Sequence, residues 1–97
     1  MRVLDVIIYT KKKCPRCAAL KQFLDKNKVF YLEKDVEDKL IMNELLTYQE
    51  IINEFCDDKQ CIVLTPVINI DGKFMHNEFF GVGGVNKKKA KEILGIE

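Results

Sequence analysis

Cys14 and Cys17 stand two residues apart in the stretch YTKKKCPRCAALKQFL, residues 9–24, with Pro15 and Arg16 between them. Lys11, Lys12 and Lys13 lead into the pair. Cysteines at this spacing serve as a thiol–disulfide couple, as half of a metal site, or as two ordinary thiols at a helix start. Proline favours the first position of a helix, so the helix is expected to begin at Pro15 with Cys14 just before it. A sulfur there faces unpaired backbone N–H groups and the positive end of the helix dipole. Lys11, Lys12, Lys13 and Arg16 add cations. Each of these favours thiolate over thiol, so Cys14 is expected to be ionised and nucleophilic at neutral pH.

Cys17 reads differently. It lies one turn into the helix, on the face that also carries Leu20 and Leu24. A covered thiol keeps a high pKa and meets little solvent. One helical turn also brings two sulfurs within bonding reach. The division of labour follows: Cys14 attacks a disulfide, and Cys17 releases the product by attacking Cys14. Zinc pairs more often sit on a β-turn than at a helix start, so a metal-binding module, holding zinc or a bridged iron–sulfur cluster, is the alternative.

Thr65-Pro66 is the second feature with chemical meaning. Proline has no N–H for a ladder, so it suits a strand start. The plain reading is an edge proline. The sharper one is a cis bond, which costs little only before proline. A cis turn would expose the Thr65 backbone to an extended peptide or thiol substrate, as an added strand.

These groups need elements to hold them. Val6-Ile7-Ile8-Tyr9, within Asp5 to Thr10, reads as a strand buried on both faces. After the helix from Pro15, Val29 to Leu32 is expected to be a second strand, parallel to the first through a right-handed crossover. Ile41, Leu45, Tyr48, Ile52 and Phe55 predict one longer helix ending near Asp57-Asp58. Val67 to Ile70 and Lys73 to Met75 read as a hairpin about the turn Asp71-Gly72. A last helix is expected after the N-cap Asn86, with Ala90, Ile93 and Leu94 inward and Gly95 stopping it. The order is βαβαββα, an α/β sandwich with a small mixed sheet.

The chain has 97 residues, 47% of them hydrophobic and 32% charged, which suits one domain over residues 1–97 and argues against disorder. A net charge of +1 provides no general field for nucleic acid or an anionic membrane. The N-terminal MRVLDVIIYT lacks the features of a secretory signal, and no segment has the roughly 20 apolar residues of a membrane span. A cytoplasmic location is therefore the expectation, where four cysteines are more apt to be redox-active or metal-bound than structural disulfides.

IYTKKKCPRC, then TPVINIDGKF, then GGVNKKKAKEIL, together resemble the glutaredoxin family, and the resemblance spans nearly the whole chain. It implies the thioredoxin-like fold: a central four-stranded mixed sheet flanked by three helices. By the same resemblance Cys14 is the nucleophile, Cys17 the resolving thiol, and Pro66 the cis proline facing them. Lys11 matches the lysine that meets a carboxylate of glutathione, and Thr65 offers its backbone to the tripeptide's cysteinyl part. Gly83, Gly84 and Asn86 fall in the region of the family's Gly-Gly-x-Asp motif. Two departures stand out. Arg16 occupies a position where many members carry an aromatic residue, and adds a cation expected to stabilise the reduced form. MHNEFF separates the fourth strand from Gly81-Val82-Gly83-Gly84, and Asn86 stands where an aspartate would hold the ligand's amino group.

The implied activity is reduction of protein disulfides or glutathione mixed disulfides. No bound cofactor or metal is expected, the electron donor being glutathione or a thioredoxin-reductase-type system. A monomer is the expected form. Cys56 and Cys61 bracket DDKQ and read as a helix-end and a packed cysteine, the rival readings being a regulatory disulfide and a four-cysteine zinc site with Cys14 and Cys17. His76, the one histidine, is expected on the hairpin surface. Lys87-Lys88-Lys89 reads as a solvated helix start, and Phe74, Phe79 and Phe80 as core packing.

Overall fold

A computed structural model describes residues 5–59, 62–81 and 84–96. Strand β1 runs Val6–Thr10, helix α1 Pro15–Lys26, β2 Leu32–Asp35, α2 Lys39–Leu45 and α3 Gln49–Phe55. Next come β3 Val67–Ile70, β4 Lys73–Met75, a single 3-10 turn Asn77–Phe79, the short strands β5 Phe80–Gly81 and β6 Gly84–Val85, and α4 Lys87–Leu94. The main sheet has the order β2-β1-β3-β4. β1 and β2 are parallel, while β1/β3 and β3/β4 are antiparallel.

Side-chain alternation along the central strands divides the core into two layers. Val6 and Ile8 of β1, with Ile68 and Ile70 of β3 and Met75 of β4, face Leu20, Phe23 and Leu24 of α1 and Ala90 and Leu94 of α4. Tyr9, Val67 and Phe74 point to the opposite side, against Leu45 of α2 and Ile51 and Phe55 of α3. Both faces of the sheet are thus covered, which explains the near-continuous apolar run of β1. Phe74 and Phe79 are core residues, as expected. Tyr9, buried among apolar neighbours, has its pKa raised by that desolvation and by the nearby Glu44.

The α3 region departs from the sequence reading. One helix was expected from Ile41 to Asp57-Asp58; the chain instead forms α2 and α3 with a break at Leu46–Tyr48. Thr47 explains the break, because its Oγ1 donates to the Glu44 carbonyl at 2.7 Å and displaces a helical bond. The break shifts the register, so Ile51 rather than Ile52 is fully buried and Tyr48 is exposed. Among the described residues, four α-helices therefore flank the sheet, where three were expected.

The second strand also sits later than expected. Val29 belongs to a Schellman cap on α1: Val29 N–H donates to Leu24 O at 2.9 Å and Lys28 N–H to Asp25 O at 3.1 Å. Lys28 takes the left-handed conformation that this cap requires, with φ 56°. The pairing strand begins only at Leu32, opposite Ile7. Phe30, at 94% exposure, points out of the fold.

The hairpin and last helix follow the sequence closely. Asp71 and Gly72 both have positive φ, 53° and 92°, as a two-residue hairpin turn demands. Asn86 caps α4, its Oδ1 accepting from Lys89 N–H at 3.1 Å, and Gly95 ends the helix at φ 71°. The β5–β6 pair is an addition that the strand count did not include.

Leu45, with no exposed surface, fills the layer beneath α2, whereas Leu40 on the same helix is 79% exposed. Leu45→Ala is expected to cost about 2–5 kcal/mol in a chemical denaturation series. Leu40→Ala should stay within about 0.5 kcal/mol of the parent.

Candidate active site

Strand β1 delivers the chain at Thr10, and α1 starts at Pro15. Lys13 bridges them in the left-handed region, φ 57°, while Lys12 N–H donates to Glu37 Oε1 at 3.2 Å and anchors the turn. Cys14 is the N-cap of α1. Its sulfur accepts a hydrogen bond from Cys17 N–H at 3.1 Å, so it is turned onto the amides at the helix start. Cys14 and Cys17 are joined as a disulfide with Cα atoms 5.2 Å apart. Cys17 is only 2% exposed, behind a half-buried Cys14. The pair is asymmetric in the sense the sequence indicated: one sulfur toward solvent, one toward the core.

Across the site lies the loop before β3. The Thr65-Pro66 bond is cis. Cys14 Sγ is 3.6 Å from Thr65 Oγ1 and 3.8 Å from Thr65 O. The hydroxyl is a second donor for a thiolate at Cys14, beside the Cys17 amide. Thr65 and Pro66 are both buried, which leaves the loop fixed against the sulfur.

Two shallow clefts flank Cys14. Lys11, Lys12, Lys13, Cys17, Ala18 and Lys21 line the first. Lys11, Lys13, Arg16, Val63, Leu64 and Thr65 line the second. Lys11 borders both, and exposed Val63 gives the second an apolar edge. Lys21 also binds Glu33 at 3.2 Å, and Thr10 Oγ1 donates to the same carboxylate at 2.6 Å. The Thr10 bond holds Glu33 below the usual carboxylate range; partial burial opposes this, and Lys21 reinforces it.

Of the residues read from the sequence, Cys14, Cys17, Lys11, Arg16, Thr65 and Pro66 come together here. Gly84 lies in β6 and Asn86 is spent on capping α4; neither lines the two clefts. Gly83 and Cys61 lie outside the described residues. Cys56 ends α3 and bridges to Ile62, half-buried against the second core layer. Lys87, Lys88 and Lys89 form the exposed first turn of α4.

His76 overturns its sequence expectation. It is not on the hairpin surface but 2% exposed. Nδ1 is 2.9 Å from Pro66 O, and Nε2 is 3.0 Å from Arg16 Nη1. The Phe80 ring stacks at 5.0 Å from the imidazole and carries the Arg16 guanidinium at 5.4 Å. Arg16 is therefore turned toward His76 rather than standing as a lone cation by the sulfur. The turn Asn77–Phe79 after β4 brings Phe80 back against the imidazole; no periodicity in the sequence signals that.

Burial pushes the His76 pKa down; the Pro66 carbonyl opposes this, Arg16 adds to it, and Glu78 opposes it. The folded-state pKa thus lies below the unfolded one. This contribution to stability is complete above the unfolded value, about 6.5, and is lost as pH falls through the folded value. His76→Gln removes the titration. Urea denaturation at a series of pH values should show the variant gaining on the parent as the pH drops below about 6.5.

The glutaredoxin family model matches residues 6–75. No curated protein is returned as a relative. Eleven chains of solved structures match. A mutant form of the thioredoxin-like protein BC3987 superposes with TM-score 0.62 at 25% identity, over 96% of this chain and 97% of that one. Glutaredoxin 1 from Francisella tularensis, complexed with cacodylate, gives TM-score 0.56 at 25% identity, over 96% and 99%.

Proposed function

The chain belongs to the glutaredoxin family, and from that premise we propose that it reduces protein disulfides or glutathione mixed disulfides through Cys14 and Cys17. Thiol–disulfide chemistry is what the family implies in general. The observation that carries the reading is the asymmetric pair: Cys14 caps α1 and accepts the Cys17 amide, with Cys17 buried behind it.

The cycle balances on these two sulfurs. Cys14 thiolate attacks one sulfur of the substrate disulfide, forming a mixed disulfide and expelling the first thiolate. Cys17 loses its proton to solvent and attacks Cys14, forming the internal disulfide and expelling the second. Two electrons pass from the cysteines to the substrate, and a donor thiol system restores them. The donor is glutathione or a thioredoxin-reductase-type system. Lys11 contributes a charge for a substrate carboxylate at the mouth of both clefts. Thr65 supplies backbone to an extended substrate, in the manner of an added strand. The protein acts in the cytoplasm, as a monomer, without a bound cofactor.

Cys14→Ser should abolish turnover. Cys17→Ser should accumulate a protein–substrate mixed disulfide visible by mass, while keeping any one-thiol reaction with glutathione. Full activity in both variants overturns the assignment. In the reduced protein, the rate of alkylation at Cys14 against pH should have its midpoint below that of free cysteine, about 8.5. Turnover with glutathione and its reductase, set against turnover with a thioredoxin reductase, identifies the donor.

A further inference from the structure

The thiol cycle gives His76 no task, yet both halves of the site meet on its side chain. Arg16 stands between the two cysteines in sequence, and Pro66 follows Thr65, which borders Cys14. His76 contacts Arg16 with one ring nitrogen and the Pro66 carbonyl with the other. A guanidinium has only donors, so Arg16 donates and Nε2 must be bare. A carbonyl has only acceptors, so Nδ1 carries the hydrogen. A single species, the neutral Nδ1–H tautomer, makes both bonds.

We propose that His76 is a positioning residue for exchange at Cys14: as a neutral imidazole it fastens Arg16 to the Pro66 carbonyl and holds the C-P-R-C turn in register with the Thr65 backbone. The inference rests on Cys14 being the nucleophile. Attack at a disulfide sulfur needs the nucleophile and the substrate-holding backbone in fixed relation, and a small misplacement there is costly in rate.

The same arrangement makes the fastening sensitive to acid. A proton on Nε2 removes the acceptor for Arg16 and sets two cations 3.0 Å apart. Among the described residues, the charged groups facing the ring are Arg16 from α1 and Glu78 from the turn after β4, while the loop before β3 presents the Pro66 carbonyl. One carboxylate does not restore the lost bond.

The chain has a single histidine, so ring nitrogen NMR needs no assignment. At pH 7 the spectrum should show Nδ1 protonated and Nε2 bare; the Nε2–H tautomer overturns the proposal. Exchange is then followed with the reduced protein and a mixed disulfide of glutathione with a cysteine peptide. His76→Phe should slow exchange about tenfold while Cys14 alkylation by iodoacetamide is unchanged. His76→Gln, with one amide donor and one acceptor, should restore most of the rate. Equal rates in parent and His76→Phe, or an equal loss in both variants, overturn the proposal. Should His76→Phe fail to fold, the pH series decides: the His76→Gln to parent rate ratio must rise below the pH at which the ring protonates, and a flat ratio overturns it. Cys14→Ser run alongside separates the two readings. If that variant still exchanges, the functional reading fails; if it is inactive while His76→Phe is unimpaired, only the role of His76 fails.

Discussion

The antiparallel pairing of β1 with β3 decides where the chemistry sits. Its register sets Tyr9 opposite Val67, so the end of one strand lies beside the start of the other. The turn leaving β1 carries Cys14, and the loop entering β3 carries Thr65 and Pro66. Residues 51 apart in the chain thereby come within 4 Å of one another without either loop having to reach. A one-residue slip would turn Val67 and Ile68 to the wrong faces of the sheet, and both core layers forbid it. The apolar contacts that stabilise the sheet thus also hold the site in alignment.

The two cysteines differ because the helix start treats its first and fourth positions differently. An N-cap side chain projects back over unpaired amides, and Cys14 Sγ takes the Cys17 N–H. One turn later the side chain lies on the face packed against the sheet, where Cys17 is sealed. The same backbone geometry therefore leaves one sulfur half-buried against the helix amides and the other sealed against the core.

Arg16, His76 and Phe80 form a polar–aromatic knot on the other side of this arrangement. It links α1, the loop before β3 and the segment after β4, the three pieces whose mutual position the site depends on. The knot lies at the polar limit of the core, where an imidazole with both nitrogens bonded costs far less than an unpaired one. The turn Asn77–Phe79 after β4 brings Phe80 against the imidazole, which is 2% exposed.

Local physics made much of this protein legible from its residues alone. Val6 to Tyr9 had to be buried on both faces, Asp71-Gly72 had to turn, Asn86 had to cap, and Pro15 fixed the start of α1 behind Cys14. Each depends on neighbours within a few positions, which is where backbone sterics and capping act. Other outcomes depended on competition that periodicity does not record. Thr47 broke an expected helix by bonding Glu44, and Val29 went to a helix cap instead of a strand. The fate of His76 lay furthest beyond reach, because its partner Arg16 is 60 residues away and the burial of a polar ring is favourable only once that partner is in place. The sequence by itself determined the reactive pair and the elements that carry it; only the tertiary structure decided which distant polar groups would satisfy each other in the core.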